Sequence, residues 1–134
     1  MIVRARIKLY SSTSEFTGVA LVDTGATHTI MDYSLAEHLN LKPFGEREVV
    51  TLGTKVQCQL VDVKGMVIEE VEIGPRRLFV CNFPRDVKKK LKSMKCSDKI
   101  IIGIPEVESA GYIPNTIKGK LEKVGFIVFN HFSE

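Results

Sequence analysis

The sequence predicts a mostly β protein of seven or eight strands with two or three short helices. Three observations carry that expectation. Residues 3–9 alternate, with Val3, Ala5, Ile7 and Leu9 on one side and Arg4, Arg6 and Lys8 on the other, the period of a half-buried strand. Elsewhere the apolar residues come in short runs punctuated by Gly, Pro, Asn and Ser, a strand-and-turn rhythm. The 134 residues hold no repeat, low-complexity stretch or obvious linker, so one domain over 1–134 is expected, burying roughly two-thirds of its unfolded surface.

In chain order, "SSTSE" ends the first strand as a turn, and Phe16 to Val22 follows as a strand without alternation, expected to be buried on both faces. In "IMDYSLAEHLNLKP", Asp32 is placed to cap a short helix whose inner face is Leu35, Ala36 and Leu39, with Asn40 and Pro43 ending it. "VVTLGTKVQCQL" predicts a hairpin with Gly53 near its tip. "VDVKGMVIEEVEI" predicts a long strand bent at Gly65, and "VEIGPRRLFV" a second hairpin turning at Gly74-Pro75. "FPRDVKKKLKSMKCSDK" carries Lys88, Lys89, Lys90, Lys92 and Lys95, with Val87, Leu91 and Met94 at helical intervals, a surface helix or ordered loop. "IIIG" is a strand ending at Gly103, and a short helix then closes near Gly111. Thr116–Val124 and Phe126–Phe132 complete the strands.

Composition narrows the function classes. No apolar run approaches the ~18 residues of a membrane span, and "MIVRARIKLY" lacks the continuous apolar region of a signal peptide. The net charge of +3 is too slight to argue for nucleic acid. The lysines of residues 88–95 lack interleaved aromatics and read first as a solvated face. Cys58, Cys81 and Cys96 are odd in number and widely spaced, which indicates reduced, buried thiols without a disulfide framework or zinc site, and a cytoplasmic location.

One stretch carries chemistry. In "ALVDTGATHTIMD", Asp23 ends an apolar run and is followed by Thr24, Gly25 and Ala26. A carboxylate at the end of a buried strand is costly unless compensated. The bland reading is a turn aspartate before glycine. The functional one is the D-[TS]-G-[AS] signature of aspartic proteases, which arises by chance in roughly one chain in a hundred of this size. There the glycine allows a sharp turn under the carboxylate and close approach of substrate. The acid needs a second carboxylate sharing one proton, so that one acts as base and the other as acid. Asp32, Asp62, Asp86 and Asp98 are not followed by Thr-Gly or Ser-Gly. The partner of a catalytic Asp23 is therefore Asp23 of a second copy, brought to it by a two-fold axis.

With these residues the chain resembles the retropepsins, the single-domain homodimeric aspartic proteases of retroviruses, retrotransposons and their cellular relatives. "GVALVDTGATHTIMDYSLAEHLNL" is similar to the retrotransposon-type and prokaryotic branch, and "IIIG" to the family's hydrophobic-hydrophobic-Gly element. The likeness spans about residues 1 to 112. It implies a retropepsin-like closed-barrel fold with half an active site per chain, a homodimer, and hydrolysis of extended peptide or protein substrates without cofactor or metal. It implies that Asp23 is catalytic and that Thr24 hydrogen-bonds across the axis. Gly25 exposes backbone to substrate, Ala26 and Thr27 line the cleft, and His28 stands at its edge. Gly103 packs against the active-site loop, and Gly53 lies near the tip of a substrate-covering flap.

The chain also departs from that pattern. Many viral members carry an Arg after the second glycine, paired with an acid beyond DTGA; here those positions hold Ile104 and Thr27 or His28. The hairpin around Gly53 is less glycine-rich than a viral flap. Two classes of function therefore stand side by side: a homodimeric endopeptidase, and a catalytically weak peptide-binding dimer of the same fold.

Overall fold

The computed structural model describes residues 2–51 and 53–124. The strands among them are β1 (Val3–Tyr10), β2 (Glu15–Val22), β3 (Ile30–Asp32), β4 (Phe44–Thr51), β5 (Thr54–Val63), β6 (Gly65–Ile68), β7 (Val71–Glu72), β8 (Arg76–Cys81), β9 (Ile100–Ile102), β10 (Tyr112–Asn115) and β11 (Lys120–Lys123). The helices are α1 (Tyr33–His38), α2 (Arg85–Ser93) and α3 (Ile104–Ser109). Nine strands make one sheet in the order β4-β5-β8-β3-β9-β2-β1-β6-β7, and β10 and β11 pair separately. The expected mostly β architecture is the one found. Among the described residues no helix is long and apolar enough to cross a membrane.

Strand order shows that the sheet curls on itself. β5 is second in the order and β6 eighth, so six strand spacings would separate them by about 29 Å in a flat sheet. Only Lys64 lies between the end of β5 and the start of β6, and two residues reach about 7 Å at most. The two sides of the sheet are therefore drawn together at this corner, where Lys64 donates its N–H to the Tyr10 carbonyl at 3.0 Å. The bend expected at Gly65 is present, and a Cβ there would meet the Tyr10 ring, which would have to swing away.

β1 follows its alternation: Val3, Ala5, Ile7 and Leu9 are buried. Within the sheet β9 separates two apolar clusters. Ile100 and Ile102 pack in the larger one with Leu9 and Met31, and Ile101 packs in the smaller with Ile30, Phe83 and Leu91. Each side chain of this strand is buried, which makes truncation to alanine costly, about 2–5 kcal/mol. Asp32 caps α1, accepting from the Ser34 N–H at 3.1 Å. It also accepts from the Phe83 N–H at 2.8 Å, tying α1 to the segment that enters α2. Lysine-rich α2 is amphipathic, with Leu91 on its buried side.

Four expectations are corrected. β2 is not buried on both faces: Ala20 and Val22 are buried, but Val19 is 38% exposed. The strand pairs along its whole length with β1 and with β9 only at Leu21 and Val22, so only its end reaches the interior. The second hairpin is not at Gly74-Pro75. β7 pairs with β6, around a turn where Glu69 has φ +56°, and β8 pairs with β5 and β3. Gly74, at φ +77° with its N–H held by Glu72 Oε2 at 2.8 Å, instead leads a crossover. Residues 116–119 are a turn, leaving β11 only Lys120–Lys123. Asn115 Oδ1 accepts from the N–H groups of Ile117 and Lys118 at 3.0 and 2.9 Å, which outweighs strand propensity there. β3 was hidden in the run before α1, being too short to show a period. The expected Phe126–Phe132 strand lies outside the described residues.

Candidate active site

The Asp23 segment is built from the end of β2. Val22 lies beside Ile102 in the parallel β2–β9 pair, and Asp23 donates its N–H to the Ile102 carbonyl at 2.9 Å. The chain then turns, with the Ala26 N–H on the Asp23 carbonyl at 3.0 Å. The Gly25 N–H donates to Asp23 Oδ1 at 3.0 Å. One carboxylate oxygen is thus aimed by its own loop. Thr24 and Gly25 are exposed, and Asp23 and Ala26 half-buried.

Gly25 and Gly103 are glycines for different reasons. Gly25 is not among the positive-φ residues, and a Cβ there would meet only Asp23 Oδ1, at 3.6 Å, an ordinary contact. Nothing inside one chain forces glycine; the turn under the carboxylate needs no special backbone. Gly103 is the opposite case. A Cβ there would lie 2.6 Å from the backbone C and O of His28, so β9 and the active-site loop touch backbone to backbone. The Ile104 N–H then donates to the Ala26 carbonyl at 3.0 Å.

A buried polar chain supports that contact. Thr29 Oγ1 accepts from the Gly103 N–H at 2.9 Å and donates to Glu106 Oε1 at 2.6 Å. Glu106 Oε2 takes both Arg76 Nε, at 3.0 Å, and Nη2, at 2.6 Å. Thr29 and Glu106 are 2% and 4% exposed, which makes complete satisfaction necessary. The Arg brace absent after Gly103 thus has a counterpart of different composition. None of Thr29, Arg76 and Glu106 stood out in the sequence. Glu106, one of two acids in the short helix directly after the "IIIG" element, was the one signal that could have found them.

Two hollows open against α2. One, of about 310 Å³, is bordered by Asp23, Thr24, Leu21, Val87 and Lys90. The other, of about 400 Å³, lies between Thr54 and Val56 of the β4–β5 hairpin and Ile30, Ile101, Val87 and Lys90. Thr27 and His28 border a separate, shallower depression with Arg76 and Phe79, and the His28 ring stands edge-on to Phe79 with centroids 4.5 Å apart. Gly53 sits at the hairpin tip at φ +78° with nothing within 4 Å of a Cβ. Asp23 and Thr24 therefore share one hollow, while Thr27, His28 and Gly53 lie apart from it. α2, absent from the sequence-derived site, supplies a wall to both main hollows.

The other titratable groups nearby are structural. Burial raises the Asp32 carboxyl, but hydrogen bonds from the Ser34 hydroxyl and the Phe83 and Ser34 N–H groups, with Lys88 at 3.6 Å, outweigh it and hold the group below its usual range. Burial pushes the Cys81 thiol up to about 12, with Cys58 and Asp32 adding to it, and raises Cys58 as well. Such thiols are poor nucleophiles.

A family model described as aspartyl protease matches residues 14–105. Among solved structures, EIAV protease complexed with the inhibitor HBY-793 aligns with a TM-score of 0.54 at 17% identity, covering 80% of this chain and 86% of that one. A retropepsin-like aspartic protease from Rickettsia conorii aligns with a TM-score of 0.51 at 16% identity, covering 86% and 83%. At these identities the likeness is one of fold, and it is the retropepsin-like fold expected. No curated protein matches the chain in sequence.

Proposed function

The chain belongs to the aspartyl protease family, and on that premise we propose that it is a homodimeric endopeptidase in which the Asp23 side chains of two copies form the catalytic pair. The observation that carries this reading is the mounting of Asp23. Its carboxylate is oriented by the Gly25 N–H, borders an apolar hollow, and stands on a loop clamped from below through Gly103.

In that dimer one Asp23 takes a proton from a bound water, whose oxygen attacks the peptide carbonyl carbon. The other gives its proton to the carbonyl oxygen. Proton transfer to the amide nitrogen then releases the amine as the C–N bond breaks. Thr24 crosses the axis to brace both loops, and exposed Gly25 lets substrate backbone approach without a Cβ in the way. Ala26 flanks the bound peptide, which lies as an added strand, while Thr27 and His28 border the separate depression beside Arg76 and Phe79. The β4–β5 hairpin, with Gly53 at its tip, closes over it. Three free, buried cysteines support a cytoplasmic location for the enzyme.

The weakly catalytic alternative rested on the missing arginine and on a hairpin less glycine-rich than a viral flap. The Arg76–Glu106–Thr29 chain supports the endopeptidase reading instead, because it holds the loop by other means. The test is cleavage of a panel of unstructured peptides by wild type and Asp23→Asn, with sedimentation to measure the dimer. Cleavage that disappears in Asp23→Asn while the dimer persists is expected. Equal cleavage by both proteins, or a monomer that cleaves, overturns the reading.

A further inference from the structure

The positive charge of this chain is concentrated on α2, and α2 stands at the cleft. Its nine residues carry five basic side chains against one acid, Asp86. Lys88 pairs with Asp32 at 3.6 Å and Lys92 with Asp98 at 3.4 Å. Among the described residues Lys90 makes no ion pair. It is also distinguished by position. Val87 and Lys90 are the two residues common to both hollows, the one beside Asp23 and the one under the β4–β5 hairpin. A lysine stem can lie along such an apolar wall and leave its ammonium group free at the junction.

Lys90 is exposed, so its ammonium group stays in water beside the two hollows. The neighbouring charges are Asp86, which borders the hairpin-side hollow, and Asp23 in the other. Asp86 lies in the first turn of α2, where the helix N-terminus offsets its charge. Arg85, Lys89 and Lys95, all exposed, add to the positive field around Lys90. Resting on the protease reading, we propose that Lys90 is a specificity-determining residue that favours peptides carrying an Asp or Glu side chain beside the scissile bond.

The test uses peptide triplets that differ only in Glu, Gln or Lys at positions flanking the bond. Binding to full-length Asp23→Asn is measured by fluorescence anisotropy, and cleavage by the wild type is followed in parallel. The Glu peptide is expected to bind roughly three- to fivefold more tightly than the Gln peptide, the scale of a partly exposed ion pair, and the advantage fades in high salt. Adding Lys90→Glu should transfer the preference to the Lys peptide, and Lys90→Gln should abolish it should the reversal variant fold poorly. Lys89→Glu should leave it in place. Equal binding across the triplet overturns the proposal, as does a preference for Lys, which would assign control to Asp86. So does a preference moved as far by Lys89→Glu as by Lys90→Glu, or displacement of the acidic peptide by single-stranded RNA. A charge preference in binding without cleavage by the wild type would sink the protease reading while leaving recognition by Lys90 standing.

Discussion

Arg76 on β8 and Glu106 on α3 meet in a forked ion pair, with Nε and Nη2 both on Glu106 Oε2 at 3.0 and 2.6 Å. The pair fastens the helix after Gly103 to the strand packed against β3, so the floor of the active-site loop is held from two sides. The other Glu106 oxygen reaches Thr29, and through Thr29 the Gly103 N–H.

Breaking that chain is expected to loosen the site as well as the fold. Arg76→Ala leaves a buried carboxylate without its cation, a loss of about 3 kcal/mol, read by urea denaturation. Thr29→Val keeps the shape and removes the hydroxyl, leaving the Gly103 N–H unpaired at about 1–3 kcal/mol. Unchanged midpoints in both variants would show that the chain carries no structural load.

The two glycines of the site should separate cleanly. Gly103→Ala brings a Cβ to 2.6 Å from the His28 backbone, so it should lower stability by about 1–3 kcal/mol or prevent folding. Gly25→Ala meets only ordinary contacts within the chain and should leave the melting temperature of the isolated protomer nearly unchanged. Its effect should appear in peptide cleavage, which should fall steeply. A Gly25→Ala protein that cleaves as the wild type does would show that close approach of substrate does not require glycine at this position.

Asp32 sets an acid limit. Its carboxyl is held below the range it has in the unfolded chain. Its contribution is therefore fully present above the unfolded value and is lost as pH falls through the folded one. Asp32→Asn, which retains a capping oxygen, should be less stable near neutrality and lose less on acidification. Its stability-against-pH curve should converge with that of the wild type at low pH, measured by denaturation across pH 3 to 7 (roughly the carboxylate range). Parallel curves would place the acid sensitivity elsewhere.

Much of the fold was legible because its signals are local. The alternation of Val3 to Leu9 needs one covered face and nothing else, and Asp32 caps α1 with its own neighbour Ser34. The second hairpin was misread for the same reason. Gly74-Pro75 is a genuine turn signal, but which strand β8 joins depends on β5 and β3, far away in sequence.

By itself the sequence determined the mostly β architecture, the acid at the end of a strand, and the glycine that ends β9. Each is a short pattern whose meaning lies in adjacent residues. Tertiary structure alone decided that Thr29 meets Glu106, 77 residues away, that Glu106 meets Arg76, 30 residues away, and that Lys90 stands between two hollows beside Asp23. Threonine, arginine, glutamate and lysine are ordinary surface residues until long-range strand pairing and helix docking bring them together, and no local period encodes which of them will be brought in.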